Sequence, residues 1–325
     1  MPASDSQPFE ASGVARRPWY LRVRDRIWRV IVTTVGSCMR YRVTGLAAEA
    51  AFFAGLSVPP LIFAMAGAIG YVSDRFSPAQ VADVRDAVID LSERALTESA
   101  VSSIIVPTID SVLEGGRFDV ISLGFVLALW SGSRALNVFV DTITIMYGLG
   151  GHRGIIKTRA LSFGLYVLAM VTGVLTIPLV VAGPSLVSAW LPPRFDFVMN
   201  FYWPIVVLVC ICFLATLYHV SVPVRTNWRF NLPGATFSLV AWVAGSYLLR
   251  WVLTVTAADS KSIYGPLAAP IAVLIWLYLV AIAVLIGAAV NAAFDTVFPQ
   301  KSTVRARQEQ VEPPRQRTNP REPSA

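Results

Sequence analysis

Charge is what this sequence has least of. Asp, Glu, Lys and Arg make up 14% of its 325 residues, against roughly a quarter in soluble domains. Histidine is nearly absent, with only His152 and His219. Neither has a second histidine at metal-ligand spacing, and there is no H-E-x-x-H and no paired acidic cluster, so no metal centre is expected. The chain also lacks a G-x-S-x-G and a P-loop, which argues against nucleophile-elbow chemistry and nucleotide hydrolysis. Three cysteines, Cys38, Cys210 and Cys212, make no disulfide framework. Cys210 and Cys212 lie inside an apolar run and read as packing residues rather than a metal or redox pair. No linker divides the chain into two soluble cores, although its length would allow about two.

What the chain has in abundance is long apolar runs. The last, Tyr264 to Phe294, carries no charged side chain and exceeds the ~20 residues a helix needs to cross a hydrocarbon core. Gly265, Pro266 and Pro270 punctuate its start, and Asn291 and Asp295 mark its far end. Comparable runs cover Leu46 to Val72, Val120 to Tyr147, Ala160 to Val181, Val198 to Val220 and Leu232 to Val255. Pro178 is expected to kink the third. The first is too long and too late for a secretory signal, so no cleavage is expected. The reading is an all-α polytopic membrane protein with a six-helix membrane domain over 45–297.

The remaining segments are polar and unequal in charge. Residues 1–44 form a basic N-terminal region with eight arginines from Arg16 to Arg42, preceded by fifteen polar residues expected to be disordered. Trp19, Val23, Ile27, Val30 and Ile31 recur near helical spacing. This stretch is either an interfacial amphipathic helix or simply a positive flank. The insert at 73–117 holds four arginines against eight carboxylates. Val81, Val84, Val88, Leu91 and Ala95 give it an amphipathic helical pattern. Arg153, Lys157 and Arg159 lie on one connection, and Arg225 and Arg229 on another. The alternate connections hold only Arg194 and Lys261. Short basic loops face the cytoplasm, which puts both termini inside and the insert outside. The net charge of +7 is thereby explained by orientation, and no nucleic-acid partner is expected. Gly148, Gly150, Gly151 and Gly154 follow a span rather than a strand and read as a turn. The Pro- and Gln-rich tail, 298–325, is expected to be disordered.

Ionisable groups inside a span are costly and point to function. Glu49 stands one turn into the first span. In the second, Arg134 shares a face with Ser131, Asn137 and Asp141. Glu49 and Arg134 are expected to pair, because an unpaired charge at that depth costs several kcal/mol. Such a pair either fixes helix packing or lies in a polar cavity that contacts an anionic headgroup or a proton. Ser131 and Asn291 are expected to line the cavity. Asp141 is shallower, and Arg250 is expected to snorkel to the interface.

The runs GLAAEAAFFAGLSVPPLIF (45–63), LWSGSRALNVFVDTITIMYG (129–148), LYHVSVPVRTNWRFNLPGA (217–235) and IYGPLAAPIAVLIWLYLVAIAVLIGAAVNAAF (263–294) resemble, in order, the signatures of the YihY/BrkB membrane-protein family. The resemblance covers Arg40 to Phe294. It implies a six-span protein of the bacterial inner membrane with a role in envelope integrity, and translocation of a lipid or other amphiphile. The alternatives are a non-transporting envelope scaffold and a ribonuclease, as in an older family label. The expectation is a protein that is not an enzyme, needs no cofactor, and partners with membrane lipids and with a second copy or an envelope protein. One departure stands out. Where the resemblance implies a last-span carboxylate in G-A-E-x-N, this chain has Gly287-Ala288-Ala289-Val290-Asn291, and Glu49 supplies an acid on the first span instead.

Overall fold

The computed structural model describes residues 19–71, 118–190, 202–257 and 268–311, and within the insert only 79, 82, 85, 86, 89, 101, 102, 106, 107 and 110. The described residues contain eight α-helices and no strand. In order these are α1 (Trp19–Arg40), α2 (Val43–Tyr71), α3 (Phe118–Met146), α4 (Ile155–Trp190), α5 (Tyr202–Ser221), α6 (Leu232–Ala257), α7 (Ala268–Val297) and α8 (Lys301–Val311), with a 3-10 turn at Trp228–Asn231 before α6. Helices α2 to α7 are the six long and apolar enough to span a bilayer. At 29 residues each, α2 and α3 are about 43 Å long, more than a hydrocarbon core of about 30 Å requires. The protein is a polytopic all-α membrane protein.

The third span departs from expectation. Helix α4 carries on through Pro178 to Trp190, well past Val181. Interior prolines are tolerated in membrane helices because neighbouring groups can satisfy the freed carbonyls. Pro59 and Pro60 likewise sit inside α2, near Ser57, whose hydroxyl donates to the Ala54 carbonyl at 2.7 Å.

Helix α7 is the hub, packing on α6, α2, α1 and α3. Its second half is sealed: Ala281, Val284, Leu285, Ala288, Ala289 and Ala292 are all buried. Its first half, including Ile271, Leu274 and Trp276, is exposed. The same asymmetry runs through the bundle. Val43, Ala47, Ile143, Leu149, Leu217, Tyr218 and Ala235 form one core with the second half of α7, whereas Val126, Leu208, Val240 and Trp251 are bare. Small residues at helix contacts let backbones approach where lipid offers no hydrophobic drive to associate. At the α6–α7 crossing, a Cβ on Gly234 would strike the Gly287 carbonyl oxygen, and one on Gly287 would strike Ser238 Oγ.

The basic connections gather at the packed end. Arg153 donates to the carbonyls of Val220, Ser221 and Val222 at 2.8, 3.1 and 3.0 Å. It thereby satisfies acceptors that the end of α5 leaves open. Replacing Arg153 with Ala should lower the stability of detergent-solubilised protein by about 1.5–3 kcal/mol, the range for hydrogen bonds to a charged donor, read as a drop in melting temperature. The turn at 147–154 is an ordered helix end. Gly148 and Gly151 take positive φ, and the Leu149 N–H reaches back to the Thr144 carbonyl at 3.0 Å.

The N-terminal stretch is helical, as its spacing suggested, and it packs on α7. Thr34 is buried, while Trp28, Ile31, Val32, Val35 and Met39 form an exposed apolar stripe. The tail is a correction. Lys301–Val311 is a helix, with Thr303 and Ala306 buried at the i, i+3 spacing of a packed face. Residues 1–15 and 312–325, and the amphipathic pattern from Val81 to Ala95, lie outside the described residues.

Candidate functional site

Residues 134, 137 and 141 of α3 lie on one face because steps of three and four residues nearly complete helical turns. That face looks toward α2 and α4. The Arg134 guanidinium donates from Nη2 to Glu49 Oε1 at 3.5 Å, and its Cζ sits 5.5 Å from the centre of the Phe53 ring, within cation–π range. One turn on, the Asn137 amide donates to Asp141 Oδ2 at 2.7 Å. From α4, the Ser162 hydroxyl reaches Asn137 Oδ1 at 3.3 Å and its own helix's Thr158 carbonyl at 2.9 Å. A polar line thus joins three spans, and the expected Glu49–Arg134 pair is formed.

Surface exposure separates this line from a sealed structural pair. The Arg134 and Glu49 side chains are 44% and 39% exposed, and Asp141 is exposed. A charged group held in lipid without water or a partner is strongly disfavoured. Among the described residues Asp141 has no cation within salt-bridge distance, only the neutral Asn137 amide. The arrangement presents a cation, two carboxylates and an amide to whatever occupies the adjoining space.

Two residues expected beside this line are elsewhere. Ser131 is buried and donates to the Leu127 carbonyl of its own helix at 2.7 Å. It sits about 120° around α3 from Asn137 and about 80° from Asp141, enough to turn it into the protein. Asn291 is also buried. Its Oδ1 accepts from the Gly234 N–H at 2.8 Å, and its Nδ2 donates to the Asn231 carbonyl at 3.1 Å. It therefore closes the open backbone groups at the start of α6 rather than lining a cavity. Ala289, where the resemblance implies an acid, is buried in the core. Arg250 is exposed and lies with Trp276, Ser246 and Thr254 around a groove of about 470 Å³.

A second polar centre, at the packed end, went unread in the sequence. Asp295 near the end of α7 is only 2% exposed. It accepts from Arg307 Nη2 at 2.7 Å, Thr303 Oγ1 at 3.0 Å and the Gln300 N–H at 3.3 Å. Arg307 Nε also donates to the Tyr147 carbonyl at 2.8 Å, so one guanidinium ties α8 to the ends of both α7 and α3. The Tyr147 hydroxyl donates to Asn231 Oδ1 at 3.4 Å, and burial holds that phenol well above its ordinary pKa. One signal was available. Pro299 and Pro313 bracket a proline-free stretch, which permits a short helix. The histidines take no part in either centre: the His219 ring lies 3.3 Å from Thr226 Oγ1, and His152 is on the exposed turn. Among the described residues no group of three His, Cys, Asp or Glu is placed to hold a metal ion.

YfkH of Bacillus subtilis (strain 168), whose name calls it ribonuclease-like, is 27% identical over 259 residues, covering 75% of this chain and 87% of its own. No solved structure matches. The family described as Virulence factor BrkB matches residues 34–312, a span that runs from α1 through all six membrane helices and includes the tail helix with Arg307. The chain belongs to the BrkB family of membrane proteins.

Proposed function

We propose that this chain is a non-enzymatic protein of the bacterial inner membrane that supports envelope integrity by moving a lipid or other amphiphile along the face carrying Glu49, Arg134, Asn137 and Asp141. The single observation behind this reading is the partial exposure of an ion pair within membrane-spanning helices. A pair that served only to lock α2 to α3 would be better sealed, since desolvated charges need every partner they can find. Left open, the same groups can receive the polar head of a passing amphiphile while its apolar part stays in lipid. Both termini then face the cytoplasm, because the arginine-bearing connections gather at one end.

The test is exchange of a fluorescent phospholipid between leaflets of liposomes carrying the purified chain, followed by chemical bleaching of the outer leaflet. Wild type should bleach well past the half expected of protein-free vesicles. Asp141→Asn, which breaks no ion pair among the described residues, should slow exchange while leaving the melting temperature in place, and Glu49→Gln should slow it as well. Bleaching that stops at half with wild type sinks the reading. The relative's ribonuclease-like name sets the competing activity. Purified protein is expected to leave RNA intact, and cleavage lost on replacing His152 or His219 would reverse that expectation. An envelope scaffold is favoured by one observation, the Arg85–Asp110 pair that clasps two parts of the insert at 2.6 and 3.3 Å. The Arg85 guanidinium holds the Asp110 carboxyl below the usual range. Loss of envelope integrity on deleting the insert, with lipid exchange intact, would favour that role.

A further inference from the structure

At the packed end four exposed cations have no carboxylate partner among the described residues: Arg26 on α1, Arg225 and Arg229 on the connection between α5 and α6, and Lys301 opening α8. Of the acids on α1, α7 and α8, Asp295 is engaged by Arg307 and Glu309 by Arg305, and Asp25 has a partner of its own. Lys301 lines a groove of about 670 Å³ together with Asn227, Phe230, Phe294, Phe298 and Gln300, and Arg225 and Arg229 flank its Asn227 in the chain. The rings of Phe230 and Phe294 lie 6.2 Å apart, those of Phe294 and Phe298 4.8 Å apart. Arg26 Cζ stands 5.2 Å from the centre of the Phe298 ring. The Asn227 N–H donates to Gln300 Oε1 at 2.9 Å, joining the two walls.

We propose that this groove binds the phosphate-bearing headgroup of an anionic phospholipid. Arg26 and Lys301 meet the phosphate, and the phenylalanine rings pack under the glycerol and first acyl carbons. Two features favour a lipid over a soluble phosphate. The floor is three phenylalanine rings, which give acyl carbons an apolar contact that a soluble phosphate cannot use. The helix that carries Arg26 also exposes an apolar stripe, Trp28, Ile31, Val32, Val35 and Met39, about half a turn around from Arg26, so acyl chains can meet that helix while Arg26 faces the Phe298 ring. An anion at this position also meets the positive charge of Arg26 and Lys301.

Native mass spectrometry of the full chain in detergent, titrated with phosphatidylglycerol or phosphatidylcholine, tests the assignment. Phosphatidylglycerol should bind more tightly. The double variant Arg26→Gln/Lys301→Gln should lose about five-fold in its affinity per cation removed, with a smaller loss for phosphatidylcholine, whose phosphate is already neutralised by its own ammonium. The control Arg24→Gln/Arg305→Gln removes equal charge outside the groove and should bind as wild type does. All four side chains are exposed, so folding is not at stake. Phe298→Ala, which keeps every charge, should weaken both lipids. Equal losses in the two double variants would mean a diffuse field and overturn the site, as would a wild type without preference for phosphatidylglycerol. Displacement of bound lipid by an equal concentration of inorganic phosphate would overturn the choice of lipid. The groove shares no residue with the Glu49–Arg134 face, so failure here leaves the lipid-exchange reading standing, and the reverse also holds.

Discussion

Arg307→Ala should lower the stability of the detergent-solubilised protein by about 3 kcal/mol, the lower part of the range for breaking a buried ion pair. The loss follows from what remains. Asp295 stays buried in the α7–α8 corner, holding only the Thr303 hydroxyl and the Gln300 N–H. The Tyr147 carbonyl loses its guanidinium donor as well. Arg307→Lys should recover part of the loss, because an ammonium keeps the charge but cannot fork between Asp295 and Tyr147 as a planar guanidinium does. Melting temperature reads the first effect. Limited proteolysis between α7 and α8 reads the release of α8, and should cut Arg307→Ala faster than wild type. An unchanged melting temperature in Arg307→Ala would show that the clasp contributes nothing.

Gly287→Ala should be comparably damaging, by about 1–3 kcal/mol or more, as expected when a methyl group is forced into a filled site. The added carbon would meet Ser238 Oγ, the Gly234 carbonyl oxygen and the Tyr218 hydroxyl. None of these can easily yield. The Tyr218 hydroxyl lies 2.6 Å from Ser238 Oγ and donates to the Val284 carbonyl at 2.8 Å, while Ser238 also reaches the Ala283 carbonyl at 3.1 Å. The substitution therefore pushes apart two backbones and the hydroxyl knot that fastens them. Gly164→Ala in α4 is the control, since nothing lies within 4 Å of its added carbon. It should be neutral or mildly stabilising, as alanine suits a helix better than glycine by about 1 kcal/mol. Equal melting temperatures for the two variants would show that α6 and α7 do not need the close approach.

The six spans were readable because length and apolarity are local properties, and a bilayer filters for both. Glu49 and Arg134 were readable for a related reason: charges are so rare within spans that two at similar depth suggest each other. What escaped depends on helix rotation and on contacts distant in sequence. Ser131 follows the three-residue spacing of Arg134 and Asn137, yet the α3 surface turns it inward. Asn291 looked like a polar residue at a helix end, and only its position beside Gly234 reveals that it closes α6. Asp295 read as the end of an apolar run because its partner, Arg307, is one arginine among several in a polar tail. Nothing in composition distinguishes the arginine that folds back.

The Asp295–Arg307 clasp also bears on how the protein is made. Of the described helices, α8 leaves the ribosome last, so Asp295 emerges before the arginine that will neutralise it. The Tyr147 carbonyl has by then waited through the synthesis of four more membrane helices. Closure of that end therefore waits until α8 has been made. A chain stalled or cut after α7 would present quality-control proteases with a bundle whose spans are inserted but whose last fastening is missing.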